Sequence, residues 1–226
     1  MKKFEFTGET RVWGGYTLRR IRALVDIPTH CVKKGDLGGW IEKDKNLSHD
    51  GNAWVSGNAQ VYGNAQVSVN ARVYGNAQVY GKAQVYGKAR VYDKAQVYGN
   101  AQVYGKTRVY DKAQVYDKAQ VYGKAWVSND ARVYGKARVY GKAWVSSNAW
   151  VYGKAQVYGD AVVYNRAWVY GDAWGCGNTR VCDNAVVCGN AVVCDNAVVC
   201  GNAVVCGNTV VCDAERIPAC FRNRQD

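Results

Sequence analysis

Arg72, Arg90 and Arg108 stand at equal intervals of three six-residue units, and each is followed two positions later by a tyrosine: Tyr74, Tyr92 and Tyr110. Lys88 and Lys106 keep the same interval, two positions ahead of Arg90 and Arg108. Evenly spaced cations interleaved with rings suit a polyanion or a single-stranded nucleic acid, because charge neutralises phosphates and ring faces accept bases. Each feature also has a plainer reading. A lysine at a turn is a solvated edge guard, and a row of tyrosines covers a sheet by stacking. Sulfur forms a second periodic set: Cys176, Cys182, Cys188, Cys194, Cys200, Cys206 and Cys212, one per six-residue unit and seven of nine cysteines in all. A metal centre needs ligands that converge on a point, whereas equal spacing places these on lines. They read as structural thiols, with soft-metal or redox chemistry the less favoured reading.

The elements that position these residues follow from one repeat. From Gly51 to Cys212 the unit Gly-Asn/Lys-Ala-X-Val-Tyr/Ser/Cys occurs 27 times without insertion or deletion. Fixed self-similarity with a six-residue period predicts a parallel β-helix. In Ala59-Gln60-Val61-Tyr62 the small and β-branched residues alternate with larger ones, so one face is inward, and Gly63-Asn64 turns the corner. Thr107, Thr179 and Thr209 interrupt the Ala column, and Gly175 is the one break in the Val column. No proline falls in the array, as an unbroken backbone ladder requires.

Three hexads per coil predict about nine coils and a rod of ~43 Å at the spacing of β-strands. The same register sorts the residues before Val onto three faces. Face 1 begins Trp54, Arg72, Arg90, Arg108, Trp126; faces 2 and 3 begin as glutamine ladders at Gln60 and Gln66, able to bond along the stack. The position after Val is Tyr in 16 hexads, Ser in four and Cys in seven. The stacks expected by face are Cys182–Cys200, Cys188–Cys206 and Cys176–Cys194–Cys212. Formal charge is +12 and uneven. Residues 51–158 hold 15 Lys and Arg against four Asp; residues 159–212 hold two Arg against four Asp.

Val61-Tyr62-Gly63-Asn64-Ala65-Gln66 resembles the hexapeptide-repeat family, and the resemblance implies a left-handed, three-sided β-helix. General crossover chirality alone would favour the right-handed form. The family includes acyltransferases, typically with a catalytic histidine and loops that build a pocket, and carbonic-anhydrase relatives with three zinc-binding histidines. This chain has only His30 and His49, both outside the array, and no loop interrupts the hexads. The expectation is therefore no catalytic residue, no metal site and no cofactor, with an acyltransferase kept as the alternative. Residues 24–47, including Gly38-Gly39-Trp40-Ile41 and Leu47, also resemble the leader of YdcK-like bacterial proteins, a family with no assigned activity to transfer.

Residues 1–50 read as a β-rich cap, with a hairpin turn at Trp13-Gly14-Gly15-Tyr16. In the degenerate hexad 45–50, Leu47 takes the Ala site and His49 the Val site. Residues 213–226 read as a C-terminal capping tail with Ile217 and Phe221 as plugs. The start of the chain has no apolar signal region and no run approaches a membrane span, so no membrane and a reducing cytoplasm are expected. In the last hexads Val186, Val192, Val198, Val204 and Val210 occupy outward positions. An apolar band of that kind predicts self-association or a protein partner. The function expected is a non-catalytic scaffold or binding solenoid displaying Tyr, Gln and Arg/Trp ladders. A polyanion binder through Arg72, Tyr74, Lys88, Arg90, Tyr92, Lys106, Arg108 and Tyr110 is its other form.

Overall fold

Alternation within each hexad produces a two-residue strand, such as Gln60–Val61, and the Gly-Asn/Lys pair turns the chain to the next. The computed structural model describes residues 1–212 and the strands Arg216–Ile217 and Arg222–Asn223. The chain is an all-β parallel solenoid of about ten turns, its only helical pieces among the described residues being the short 3-10 turns Pro28–His30 and Asp44–Asn46. Strands three hexads apart pair in parallel, as in Arg72↔Arg90↔Arg108. This yields three sheets of 10, 13 and 9 strands, corresponding to faces 1, 2 and 3.

Every coil donates backbone N–H groups to carbonyls of the next. Trp54 to Ala71, Ser56 to Val73 and Asn58 to Gly75 repeat at 2.9–3.0 Å up the array. The inward Ala and Val side chains are buried, forming one continuous core. Corners have positive φ, supplied by Gly, Asn or Asp at nearly every turn. Val69 is an exception: a β-branched residue at φ 64, a conformation that costs about 1–2 kcal/mol. The face 3 glutamines bond along the stack, Gln102 to Gln84 at 3.3 Å and Gln120 to Gln102 at 3.2 Å.

The N-terminal end is closed by three longer strands. β1 (Phe4–Trp13) and β2 (Tyr16–Ala23) form an antiparallel hairpin through the two-residue turn at Gly14-Gly15. β3 (Leu37–Ile41) is antiparallel to β2 and parallel to Gln60–Val61, so the cap extends face 2. Two expectations about this end are corrected. Trp54 is outward by register but only 1% exposed, in the same core cluster as Phe4, Ile21 and Ile27. Leu47 pairs with Val67, and Ile41 with Val61, so Leu47 occupies a Val site and not the Ala site. The step from the cap to the first coil, Ile41 to Val61, and likewise Leu47 to Val67, is longer than the three-hexad step from Val61 to Val79, so counting in sixes misplaces Leu47. Asn46, fully buried, stitches the junction by donating to the carbonyls of Ala65 at 2.8 Å and Gly63 at 3.2 Å.

At the other end, strand pairing runs beyond the hexad array. Arg216–Ile217 pairs with Val198–Val199, and Arg222–Asn223 with Val204–Val205. Ile217 packs against the core; Phe221 lies outside the described residues. Among the described residues, no helix is long and apolar enough to cross a membrane.

Candidate functional site: a cationic track and a corner groove

The repeat brings Arg72, Arg90 and Arg108 into one ladder on face 1, paired register to register. Tyr74, Tyr92 and Tyr110 form a parallel stack beside them, with ring centres 4.8 and 5.1 Å apart. The Arg72 guanidinium lies 4.7 Å over the Tyr74 ring, and Arg108 lies 4.7 Å over Trp126. Among the described residues, no carboxylate comes within ion-pair distance of Arg72, Arg90, Arg108, Lys88 or Lys106. By contrast Lys142 and Lys154 pair with Asp160 and Asp172 at 3.4 and 3.5 Å. The structure thus gathers all eight residues picked out by sequence and leaves their five cations unneutralised. Asp93 borders the track closely enough to act on Tyr74 and Tyr92.

What the rings can do differs from the nucleobase-stacking expectation. On face 2 seven tyrosines from Tyr62 to Tyr170 stack at 4.8–5.0 Å with interplanar angles of 8° or less. Tyr86 to Tyr158 repeats the pattern on face 3. A ring whose neighbours lie one coil above and below has both faces covered, so no base can stack on it. The edges and hydroxyls remain outward. Burial raises the Tyr92 hydroxyl to about 12, with Tyr74 and Tyr110 adding to the shift and Arg108 opposing it. Tyr92, and Tyr74, which burial raises likewise, therefore present neutral O–H groups at ordinary pH, and the attraction for an anion comes from the arginines and lysines.

A concave feature lies higher on the rod, at the corner between faces 1 and 2. Three openings of about 340, 430 and 530 Å³ adjoin through Ser147, Asn148, Arg166 and Asn184. Trp144, Tyr164 and Arg180 line the face 1 side. Arg132, Trp150, Trp168 and Asp130 line the face 2 side. The Trp150 and Trp168 rings stack at 5.4 Å, and Arg132 covers the lower end of the pair at 5.1 Å. The period of six puts Trp144 on face 1 and Trp150 and Trp168 on face 2, each before a Val, but does not show the groove. Its signal was the replacement of Gln by Trp at consecutive outward positions.

The C-terminal residues are arranged differently from the apolar band expected. Val186, Val192, Val198 and Val204 are half-buried, Val186 lines the groove, and only Val210 is strongly exposed, at 63%. The reading of the seven cysteines as thiols is corrected: Cys182–Cys200, Cys188–Cys206 and Cys194–Cys212 are disulfides, with Cα atoms 4.6–4.7 Å apart. Stacking identical positions one strand spacing apart puts each pair within bridging distance, which the argument about converging ligands overlooked. Cys31 and Cys176 are free.

Both histidines lie in the cap. His49 stacks on Phe4 at 4.4 Å; it accepts from the Lys3 backbone N–H at Nδ1, so Nε2 carries the proton that it donates to Asp44 at 3.1 Å. It also lines a small cavity of about 120 Å³ with Lys3. Burial pulls the Lys3 ammonium down to about 8 against the attraction of Asp50. Burial also lowers His30, and Arg72 and Arg90 push it the same way.

Five segments match the sequence model of the YdcK Beta solenoid repeat: residues 65–81, 83–97, 95–111, 131–147 and 155–173. All lie in the hexad array, and the first three span the cationic track. No curated protein matches the chain.

Proposed function

We propose that this YdcK-like β-solenoid repeat protein is a non-catalytic binding module that holds an extended polyanion along face 1. The observation that carries the reading is the line of Arg72, Lys88, Arg90, Lys106 and Arg108, five cations on three successive coils without a carboxylate partner. Unpaired cations repeated along a straight sheet favour a ligand whose charges also repeat along a line. Charge is the main attraction on the track, because Tyr92 is covered on both faces by Tyr74 and Tyr110, and Tyr74 by Tyr92 and the Arg72 guanidinium. The corner groove, with Arg132, Arg166 and Arg180 among its walls, gives the same polymer a shaped continuation. Neither histidine lines the groove; His30 lies close enough to Arg72 and Arg90 to feel their charge, so it borders the track, and His49 is held in the cap by Phe4, Lys3 and Asp44. The reading keeps the left-handed winding implied by the hexapeptide spacing. The three disulfides favour an oxidising compartment over the reducing cytoplasm expected from the sequence, where thiols stay reduced.

A fluorescent single-stranded oligonucleotide and a non-nucleic polyanion, titrated at two salt concentrations, test this. With about five charges neutralised, log affinity should fall against log salt with a slope of roughly −3 to −4. Three exposed charge contacts worth up to ~1 kcal/mol each make the triple Arg72→Glu, Arg90→Glu, Arg108→Glu variant about 100-fold weaker. A triple variant that binds as tightly as the parent sinks the proposal.

A second reading, self-association at the C-terminal coils, is favoured by the exposure of Val210 on the last strand of face 3. It predicts an oligomer in light scattering that Val210→Lys dissociates. A parent that stays monomeric at high concentration rejects it.

A further inference from the structure

We propose that Cys176, Cys194 and Cys212 form a thiol–disulfide exchange site, in which one disulfide moves between two positions of a three-sulfur ladder. The three occupy the same outward position of face 3 on successive coils. Pairing holds them in one register: Trp174↔Val192 and Gly175↔Val193 below, Val192↔Val210 and Val193↔Val211 above. Cys194 is bonded to Cys212, and Cys176 is free. Cys176 Sγ lies 3.7 Å from the Val193 carbonyl, and Cys194 Sγ lies 3.6 Å from the Val211 carbonyl, so both side chains lean the same way toward the coil above. The middle sulfur therefore has an equivalent neighbour on each side, one bonded and one a thiol.

Exchange requires a thiolate, an attacked sulfur and a leaving sulfur close to one line, which a ladder parallel to the solenoid axis supplies. Cys176 loses its proton and attacks Cys194 Sγ. The Cys176–Cys194 bond forms as Cys194–Cys212 breaks, and the departing Cys212 thiolate takes up a proton. One disulfide and one thiol stand on each side, so no oxidant or reductant is consumed. Tyr158, one coil below, is hydrogen-bonded to Cys176 and, with its own hydroxyl held up at about 12 mainly by burial, remains an O–H group. The other two ladders lack a third sulfur, since the coils below Cys182 and Cys188 carry Tyr164 and Tyr170 there. They are internal controls. The shift moves the covalent link one coil down and leaves the last coil of face 3 with a thiol, open to modification by small thiols or electrophiles.

The experiment uses the full chain, unreduced, incubated at mildly alkaline pH, quenched in acid and alkylated. No Lys or Arg lies between Arg180 and Arg216, so an aspartate-directed protease releases the coils, and tandem mass spectrometry that fragments the linked peptides between their cysteines assigns the links and the label. Both Cys176–Cys194 and Cys194–Cys212 should appear, with label on Cys212 as well as Cys176, while Cys182–Cys200 and Cys188–Cys206 each give one pairing. After reoxidation, Cys212→Ser should contain only Cys176–Cys194, and Cys176→Ser only Cys194–Cys212. Label confined to Cys176 in the parent, or a Cys212→Ser variant in which Cys176 and Cys194 both stay free, overturns the proposal. So does alkylation of all seven cysteines without prior reduction.

Discussion

Gly39→Val should lower the stability of the solenoid by about 3 kcal/mol, the upper end of what overpacking costs in a tight core. A Cβ at Gly39 would stand 2.8 Å from the Ala59 carbonyl oxygen and 2.8 Å from Val55 Cγ1; at Gly38 it would stand 2.8 Å from the Val55 carbonyl oxygen. At Gly39 the Ala59 oxygen, with the Ser56 nitrogen at 3.4 Å behind it, is backbone of the first coil, which cannot swing aside as the Val55 side chain can. β3 must then withdraw from Gln60–Val61, breaking the bond from Trp40 N–H to the Ala59 carbonyl at 2.9 Å. The cap covers the open end of the core, so its displacement exposes Trp54 and the buried residues around it. For a chain of this size the loss corresponds to a fall in Tm of roughly 6–12 °C. Thermal unfolding followed by circular dichroism reads it; a midpoint unchanged from the parent would show that the cap does not press on the coil.

The same substitution one end of the rod away should have the opposite sign. Gly175 stands in the Val column between Val157 and Val193, and a Cβ built there meets no atom within 4 Å. Its φ is not in the positive range, so a side chain brings no backbone strain. Burying a valine is worth about 1.5–3 kcal/mol, and removing a glycine from the unfolded chain adds about 0.4–1 kcal/mol. Gly175→Val is therefore expected to stabilise by about 2–3 kcal/mol, with Gly175→Ala in between. A denaturant midpoint that falls instead would mean that the neighbouring coils already close on the gap. Because solenoid stability accumulates from neighbouring repeats, the gain should appear most clearly in the coils around Trp174.

These two glycines also mark the boundary between what could be read and what could not. The period of six makes the strands, the inward Ala and Val columns and the faces legible from the chain, since each coil repeats its neighbours and local alternation is nearly the whole determinant of direction. Arg72, Arg90 and Arg108 fall into one ladder for that reason alone. The gap at Gly175 was visible as a missing side chain. Nothing in Gly38-Gly39 says which backbone lies against it, because that contact joins the cap to Val55 and Ala59 of the first coil, outside the register of the array.

Non-repeating residues and repeated contacts are where tertiary structure decided. Sequence assigned Leu47 to an Ala site by counting in sixes; the cap's longer turn moved it to a Val site. Tyrosines at every sixth position could be ligand platforms or a self-covering ladder, and only the strand spacing, which presses each ring on the next, closes their faces. The groove beside Trp150 and Trp168 exists because side chains of unequal size meet around a corner. Cysteines that are merely periodic along the chain become bonded pairs across coils for the same reason: a solenoid that completes one turn in three hexads converts sequence distance into a separation of one strand.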